Sequence, residues 1–146
     1  SSNQPLGLKD TSGIGSQSLT SFGSFAEYIA METDVAVANA EGNAMKYLIN
    51  ASARGALKST EKTSTSTANF VFENNQINGY DAIVSNQLAN NDAIFGDFSQ
   101  FIVGMWSGLD LTVDPFAGAT AGTVRIIALQ DIDYAVRQAG AFCFAT

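Results

Sequence analysis

The chain has 146 residues, the usual size of one domain, and only 14% of them are charged, well below the roughly 25% of an average soluble domain. Small and amide side chains replace the missing charges, and a surface made of them loses little solvation energy when another protein covers it. A net charge of −7 with scattered cations argues against binding to a nucleic-acid backbone, and the absence of histidine removes the usual general base and the commonest transition-metal ligand.

The first twenty residues are rich in Ser, Gly and Thr and predict a loop with short extended pieces. Gly13-Ile14-Gly15 resembles the start of a dinucleotide-binding loop, but Ser18 stands where the third glycine would be, so we interpret the segment as a plain loop. Ser24 and Glu27 have the spacing of a capping box and predict a helix that ends at Glu41-Gly42-Asn43. Its apolar positions predict a broad core-facing surface made of Phe25, Tyr28, Ile29, Met31, Val35, Ala36, Ala38 and Ala40.

The middle of the chain alternates short extended segments with turns. Residues 45–49 predict a strand, and Asn50 is placed to cap a second helix over residues 51–60. The Ser/Thr-rich stretch 61–69 predicts an exposed loop that forms the most mobile tip of the chain. The segments that follow are predicted as a brief strand at 70–72, a turn-rich connection at 74–79 and an extended segment at 80–85.

From residue 93 onward the pattern is typical of β-structure. Residues 93–97 predict a strand that ends in a turn, and Ser107-Gly108 predicts a tight hairpin between strands at 101–106 and 109–114. The remaining segments are predicted as a flexible loop at 115–122, one long strand at 123–138 and a terminal strand at 141–145. The expected fold class is α+β, as a single domain over 1–146, with helices in the first half and mostly antiparallel strands in the second.

Two pairs of aspartates are candidate chemical groups. Asp110 and Asp114 would point to one face of a strand about 13 Å apart, which exceeds the carboxylate separation of a glycosidase. Asp131 and Asp133 would share a face at about 7 Å and could bind a cation. The simpler interpretation of the second pair is charge pairing along the strand with the arginines at positions 125 and 137.

Asp97 and Cys143 are the other polar groups with chemical potential. Asp97 would need a partner base to act as a catalytic acid, and none is evident, so we expect it to fix a turn by accepting hydrogen bonds from backbone amides. Cys143 is the single cysteine and lies among apolar residues, which predicts a buried structural thiol. The sequence therefore predicts no catalytic, cofactor-binding or metal-binding residue, and no cofactor.

Five aromatic residues lie close together in the second half of the chain: Phe95, Phe98, Phe101, Trp106 and Phe116. The first interpretation is that they fill a core. The alternative is that some of them anchor an interface, where Trp and Phe in well-packed pockets contribute much of the binding energy.

Several segments stand in an order that matches a known family. Ile94-Phe95-Gly96-Asp97-Phe98-Ser99 has the form apolar-apolar-Gly-Asp-Phe-Ser and follows the glycine-led extended run Gly79-Tyr80-Asp81-Ala82-Ile83-Val84. Further matching segments lie at 4–14, 45–57, 109–114 and 124–142. In this order the chain resembles the C-terminal half of a tailed-bacteriophage or prophage major capsid protein of the Hong Kong 97-type fold.

The resemblance implies an axial domain, in which helices flank a mixed central sheet, together with part of the sheet of a peripheral domain. It implies a non-enzymatic subunit that self-assembles through pentamer and hexamer contacts into an icosahedral head shell enclosing DNA. Other capsid, portal or scaffold proteins would be further partners, while specific nucleic-acid binding and membrane contact are not expected. The subunit would be located in the virion, and in the host cytoplasm during assembly.

The N-terminal arm, the extended loop and the spine helix of such a subunit are not found in this sequence, so we expect it to be a fragment. The covalent Lys-Asn cross-link of one branch of the family is not carried over, because its lysine belongs to that extended loop. Two other classes stay open: a carbohydrate- or protein-binding surface module with exposed aromatics, and a carboxylate enzyme with two acids about 5–10 Å apart in a concave pocket.

Overall fold

The computed structural model describes residues 7–63 and 69–146, which form two compact units. The larger unit comprises residues 7–101 and 136–146, and the smaller unit comprises residues 102–135. The predicted loop at 1–20 is described from residue 7 onward, where it contains a short 3-10 helix and one short strand. In the described part of the chain, no helix is long and apolar enough to cross a membrane.

Within residues 7–63 and 69–146, the secondary structure consists of two α-helices, eleven short strands and four single-turn 3-10 helices. The α-helices are α1 (Phe25–Val37) and α2 (Ala51–Leu57). The strands are β1 (Gly15–Gln17), β2 (Met45–Ile49), β3 (Phe72–Glu73), β4 (Gln76–Ile77), β5 (Tyr80–Val84), β6 (Ala93–Asp97), β7 (Phe101–Met105), β8 (Asp110–Asp114), β9 (Arg125–Leu129), β10 (Ile132–Val136) and β11 (Phe142–Ala145). The 3-10 turns lie at Leu8–Asp10, Phe98–Gln100, Ala119–Ala121 and Ala139–Ala141.

A seven-stranded mixed sheet forms the centre of the larger unit, in the order β1-β11-β6-β2-β5-β4-β3. The pairs β1–β11 and β2–β5 are parallel, and the other neighbours are antiparallel. Helix α1 packs against β1, β6 and β11. The predicted α+β class with a mixed central sheet is therefore confirmed.

Helix α1 begins where the sequence predicts. The side chain of Ser24 accepts a hydrogen bond from the amide of Glu27 at 3.4 Å, and Glu27 Oε2 accepts one from the amide of Ser24 at 2.6 Å. The other oxygen of Glu27 accepts bonds from the amide and the hydroxyl of Thr20. This capping box satisfies amides that a helix start otherwise leaves without a partner.

The end of α1 differs from the prediction of a glycine stop at Glu41-Gly42-Asn43. The helix ends at Val37, and Asn39 takes the left-handed conformation, with φ of 52°. The amide of Ala40 then donates to the Val35 carbonyl at 3.2 Å, which is the long bond of a Schellman motif. Asparagine tolerates the left-handed region better than other non-glycine residues, so it takes the place of glycine at this position.

The buried face of α1 is narrower than the sequence suggests. Tyr28, Met31 and Val35 are almost completely buried, whereas Ile29 is 38% exposed. The alanines at positions 36 and 38 are exposed as well. A single stripe spaced three and four residues apart therefore faces the sheet, because one helix on one sheet can bury only the side nearest to it.

The segment after α1 follows the prediction closely. Strand β2 has the predicted bounds, and Asn50 caps α2 by accepting a hydrogen bond from the amide of Ser52 at 2.8 Å. Helix α2 ends at Leu57, three residues earlier than expected. The hydroxyl of Thr60 donates to the Ala56 carbonyl at 3.0 Å, and such local side-chain bonds compete with continued helix.

The loop predicted at 61–69 is anchored at both ends. Glu61 and Phe70 form an isolated antiparallel bridge, and the amide of Lys62 donates to the Asn69 carbonyl at 2.9 Å. The predicted mobile tip falls mainly on residues 64–68, which lie outside the described residues. The strand predicted at 70–72 is reduced to that bridge followed by β3.

Two tight turns organise the stretch that the sequence predicts as a turn-rich connection. Asn74 and Asn75 both have positive φ, 51° and 61°, and join β3 to β4. Asn78 and Gly79 have φ of 49° and 88° and join β4 to β5. Positive φ at both central residues defines the type I′ turn, whose twist matches that of the flanking strands. The connection is thus a pair of successive hairpins that adds two strands to the sheet.

Strand β6 is the most buried of the five-residue strands in the larger unit, and all five of its residues are buried. It lies between β2 and β11, which cover both of its edges. Phe95 packs against Tyr47 and Tyr80, with ring centroids 4.5 Å and 5.1 Å away, and Tyr47 packs edge-on against Tyr28. These rings join the sheet to α1, so the core of the larger unit is centred on β6.

The smaller unit is built differently from the prediction. Strand β7 pairs with β10, and β8 pairs antiparallel with β9, so the predicted hairpin at Ser107-Gly108 is wrong. Ser107 Oγ instead accepts a hydrogen bond from the amide of Asp131 at 3.0 Å. The single long strand predicted at 123–138 is likewise wrong, because it breaks at Gln130 and Asp131 into β9 and β10. Along the chain, β8 and β9 therefore lie between β7 and β10, and the two inner strands pair with each other, as do the two outer strands.

Replacing Gly96 by alanine should destabilise the larger unit. An added Cβ would collide with the Ala141 carbonyl and the Phe142 ring, and we expect the free energy of unfolding to fall by about 1–3 kcal/mol or more. Gly55→Ala is the matched control: nothing lies within 4 Å of its Cβ position in α2, so it should raise that free energy by about 0.5–1 kcal/mol. Urea unfolding of both variants checks this, and changes of the same sign would contradict it.

Candidate interaction surface

The smaller unit exposes most of its apolar side chains. Setting aside Ala119, whose side chain is not described, none of its residues is buried. Of the fifteen large hydrophobic residues that are exposed in the described chain, twelve belong to this unit: Ile102, Val103, Met105, Trp106, Leu109, Leu111, Val113, Phe116, Val124, Ile126, Leu129 and Ile132. A concentration of this kind marks an interaction site.

The β8–β9 ribbon shows the arrangement most clearly. In its antiparallel register Leu111 lies opposite Ala128, and Val113 lies opposite Ile126. Residues opposite each other, and residues two apart on one strand, point to the same face. These four side chains therefore form one continuous apolar surface, which we call the apolar ribbon face, and all four are exposed.

The opposite face of the same ribbon is mixed. It contains the pairs Asp110–Leu129, Thr112–Ile127 and Asp114–Arg125. Its charged positions suit contact with water, whereas the apolar ribbon face contains no polar side chain. The alternation between the two faces is the pattern of a strand pair that is covered on one side.

Energetics favour a cover for the apolar ribbon face. An isolated two-stranded ribbon is at best marginally stable in water. Covering a Leu, Val or Ile side chain stabilises by about 1.5–3 kcal/mol relative to leaving it exposed. Leu111, Val113 and Ile126 are 59%, 60% and 69% exposed, so most of that stabilisation is available to a partner.

The five clustered aromatics divide between two environments. Phe95 is buried, and Phe98 and Phe101 pack half-buried against the core of the larger unit. Trp106 and Phe116 belong to the smaller unit and are 73% and 84% exposed. Core filling therefore accounts for the first three, and the interface interpretation remains for the other two.

A shallow apolar groove of about 200 Å³ lies beside Trp106. It is lined by Ile102, Gly104, Trp106, Asp133, Tyr134 and Ala135. The indole of Trp106 lies over Gly104, where an added Cβ would be only 3.0 Å from the ring. The groove contains one carboxylate, so it does not have the two acids that a carboxylate enzyme needs.

One aspartate of each predicted pair has a role in local structure. Asp114 Oδ1 accepts hydrogen bonds from the amides of Phe116 at 2.9 Å and Ala117 at 3.2 Å, which shapes the turn after β8. Asp131 lies in the bend between β9 and β10 and bonds through its backbone amide and carbonyl. No group of three His, Cys, Asp or Glu side chains in residues 7–63 and 69–146 could hold a metal ion.

The arginines expected to pair with Asp131 and Asp133 have other neighbours. Arg125 lies opposite Asp114 in the β8–β9 register. Arg137 donates its Nε to Gln100 Oε1 at 3.0 Å. The pairing predicted along one long strand fails because that strand does not form.

Asp97 fixes a turn, as the sequence predicts. Its carboxylate is buried at the end of β6, and Oδ1 accepts a hydrogen bond from the amide of Ser99 at 2.9 Å, which begins the 3-10 turn Phe98–Gln100. Burial alone would raise its pKa, but hydrogen bonds from Ser99, Gln100 and the backbone of Ala44 outweigh it and lower the pKa. The expected hairpin after the turn does not form, because β7 pairs with β10.

The Asp97 carboxylate also explains a glycine that the sequence assigned to a helix end. A Cβ at Gly42 would overlap the carboxylate of Asp97, so only glycine lets the two segments approach this closely. The contact joins the loop after α1 to the end of β6. It links residues 55 positions apart (97 − 42) and gives no local sequence signal.

Cys143 is buried in the middle of β11. Burial, then the charge of Asp34 and a hydrogen bond to it at 3.7 Å, raise the pKa of the thiol to about 12. Asp34 also accepts a bond from the side chain of Gln17 at 2.6 Å, so one carboxylate ties α1 to β1 and β11. A thiol with such a pKa is a poor nucleophile, in agreement with the structural role expected for it.

The sequence belongs to a known family. The model of the phage capsid family matches residues 1–146, and the chain is therefore a member of the phage capsid family. The major capsid protein of Halomonas phage phiHAP-1 is 36% identical over 143 residues, which cover 98% of this chain and 24% of that relative. The chain thus spans about a quarter of the length of that curated relative.

Solved structures share the fold at low sequence identity. A virus-like particle protein from Pyrococcus furiosus superimposes with a TM-score of 0.67 at 18% identity, over 95% of this chain and 58% of that one. A protein of Gordonia phage Cozz gives a TM-score of 0.68 at 16% identity, over 99% of this chain and 52% of that one. A protein of Mycobacterium phage Ogopogo gives a TM-score of 0.67 at 18% identity, over 98% of this chain and 56% of that one. The resemblance to tailed-phage capsid proteins and the Hong Kong 97-type fold are both confirmed.

In the Asp97→Asn variant, the free energy of unfolding should fall less steeply as the pH is lowered into the acid range. Because the pKa of Asp97 is lower in the folded state, its carboxylate stabilises the fold above the unfolded pKa of about 3.9, and this is lost as pH falls through the folded pKa. At neutral pH we expect a loss of about 1–3 kcal/mol, because an amide group replaces an acceptor that buried donors need. Urea unfolding at neutral and acid pH measures both effects. The exposed Asp10→Asn is the control, and an equal response of the two variants would contradict the role of Asp97.

Proposed function

We propose that this chain is the C-terminal region of a tailed-phage or prophage major capsid protein, a structural subunit of the head shell without a catalytic role. Membership of the phage capsid family over residues 1–146 supports this, as does the major capsid protein of a Halomonas phage at 36% identity. The observation on which we rely most is the uncovered apolar surface of the smaller unit. Such a surface is expected of a part that is completed by assembly.

The two units have different parts in this proposal. The larger unit, with its own core, is the axial domain, and the smaller unit is part of the sheet of the peripheral domain. The chain covers 52–58% of the three structures compared above and 24% of the curated relative, so related subunits contain a large further part. In a complete subunit, this further part would consist of the N-terminal arm, the extended loop and the spine helix.

The apolar ribbon face is where we place the spine helix of the complete subunit. A helix with an apolar stripe is the usual cover for one face of a sheet. The face is made of four apolar side chains, and the charged positions of the ribbon lie on its opposite side, so we place the helix on this face. This accounts for a ribbon that has the sequence alternation of a half-buried sheet and yet buries nothing.

Copies of the subunit would associate into pentamers and hexamers of the shell, with portal or scaffold proteins as further partners. The small fraction of charged residues, 14%, lowers the desolvation cost of contacts that are repeated in every subunit. The balance of fourteen acidic to seven basic residues suits a shell that encloses DNA without binding its backbone. The subunit would reside in the virion, after assembly in the host cytoplasm.

No observation favours the carbohydrate- or protein-binding module. Trp106 and Phe116 are exposed, but they belong to the same group of exposed apolar residues in the smaller unit and do not stand alone on a polar surface. A sugar-binding platform pairs aromatic faces with polar groups that fix orientation. The structural role therefore remains the single proposal.

Hydrogen exchange should distinguish the chain alone from the assembled shell. In the isolated 146-residue chain the amides of β8 and β9 should exchange fast, because a ribbon without a cover opens easily. In shells purified from phage particles they should be slow, whereas amides of β6 should be slow in both samples. Fast exchange of β8 and β9 in intact shells would contradict the cover.

In the complete capsid protein, Val113→Asn should prevent the assembly of shells, whereas Thr112→Asn should leave assembly intact. Val113 belongs to the apolar ribbon face, and burying an amide there costs about 1–3 kcal/mol in every subunit. Thr112→Asn places the same side chain on the mixed face and is the matched control. Electron microscopy of purified particles measures shell yield. Normal yield from Val113→Asn, or no shells from the unchanged protein, would overturn the proposal.

A further inference from the structure

The turn between β4 and β5 contains the pair Asn78-Gly79. Both residues are exposed, their φ angles are 49° and 88°, and nothing lies within 4 Å of the place where a Cβ of Gly79 would stand. An asparagine followed by glycine is open to attack by the next backbone nitrogen, because glycine has no side chain to block it. We propose that Asn78 is a site of spontaneous deamidation and that its conversion loosens the contact between this turn and α1.

The chemistry needs only the chain and water. The backbone nitrogen of Gly79 loses its proton, attacks Cγ of Asn78 and forms a new N–C bond. The Cγ–Nδ2 bond then breaks, and Nδ2 takes up a proton in place of the one lost by Gly79 and leaves as ammonia. Water then opens the resulting cyclic imide at either of its two carbonyls. Opening at one carbonyl leaves aspartate, and opening at the other leaves isoaspartate, in which the backbone runs through the side chain. No oxidant, enzyme or cofactor is required.

A hydrogen-bond chain connects Asn78 to the core. Its Nδ2 donates to Glu32 Oε2 at 2.8 Å, and Glu32 Oε1 accepts the hydroxyl of Tyr47 at 2.6 Å. Tyr47 is completely buried, and its ring packs against Tyr28 and Phe95. Burial, then the hydrogen bond and charge of Glu32, raise the pKa of Tyr47 far above its ordinary value, so the hydroxyl stays a donor. The carboxylate of Glu32 on α1 therefore accepts one hydrogen bond from the buried Tyr47 and another from the exposed amide of Asn78.

Conversion changes the sign of that interaction. An aspartate at position 78 has no donor for Glu32 and places a second carboxylate within hydrogen-bond distance of the first. Two carboxylates so close repel each other when both are charged. Aspartate followed by glycine is also a good type I′ turn, so the turn itself does not have to change. In the aspartate product the hydrogen bond between the β4–β5 turn and α1 is therefore lost while the hairpin remains; in isoaspartate the longer backbone changes the turn as well.

The neighbouring turn supplies an internal control. Asn74 and Asn75 form the same type of turn with φ angles of 51° and 61°. Asn75 follows Asn74, which has the turn position of Asn78, and Gln76 follows Asn75, so in both cases the side chain of the next residue hinders attack by its backbone nitrogen. The difference between the two turns isolates the effect of glycine from the effect of turn geometry.

The first test is peptide mapping by mass spectrometry after incubation of the folded chain in mildly alkaline buffer. We expect aspartate and isoaspartate to accumulate at position 78 and to remain at the starting level at positions 74 and 75. Gly79→Ala, which keeps the asparagine, should stop the accumulation. Equal conversion in the two turns, or no conversion at position 78, would overturn the site.

The second test examines the consequence with variants that need no incubation. Asn78→Asp should raise the unfolding equilibrium constant about tenfold in the natural chain, because a hydrogen bond to a charged group is replaced by repulsion. In a Glu32→Gln background the same change should have a much smaller effect. The glutamine amide at position 32 can donate to the aspartate at position 78, while its oxygen still accepts the Tyr47 hydroxyl. The same loss in both backgrounds would show that Glu32 does not sense the change and would refute the coupling.

Discussion

The close approach of β6 to β11 and to the turn before it is the contact on which the larger unit depends. Gly96 lets the backbone of β6 lie against Ala141 and Phe142, and this brings Phe95 into the ring cluster with Tyr47. Tyr47 in turn joins the sheet to α1. A side chain at position 96 would separate β6 from β11, and the mixed sheet, the ring cluster and the helix position would all change together.

Three carboxylates connect elements that are far apart in the sequence. Glu32 joins α1 to β2 and to the β4–β5 turn, Asp34 joins α1 to β1 and β11, and Asp97 joins the end of β6 to the loop after α1. Each accepts hydrogen bonds from neutral donors. The described chain contains one ion pair, between Lys46 and Asp81, and it is exposed. These three acidic residues therefore act as hydrogen-bond acceptors between elements, and none of the three forms the ion pair.

The two units differ in how much apolar surface they bury. The larger unit has a core of almost completely buried residues, whereas the smaller unit consists of two strand pairs that bury no described side chain. Paired strands with one apolar face gain most of their stability from whatever covers them. The contrast is therefore between a unit with its own core and a unit whose large apolar side chains are left uncovered in the described chain.

The sequence by itself was informative where the signal is local. The capping box at Ser24, strand β2, the cap at Asn50, strand β6 and the turn at Asp97 were all predicted, because each depends on residues within a few positions of one another. The order of the motifs also indicated the phage capsid family. The tertiary structure alone decided how the later strands pair, since strand pairing depends on contacts between distant residues, and it replaced the predicted hairpin at Ser107-Gly108 by the nested pairs β7–β10 and β8–β9. Only the structure, too, explains Gly42 through the Asp97 carboxylate and shows the apolar ribbon face, because closeness in space and burial are properties of the folded chain.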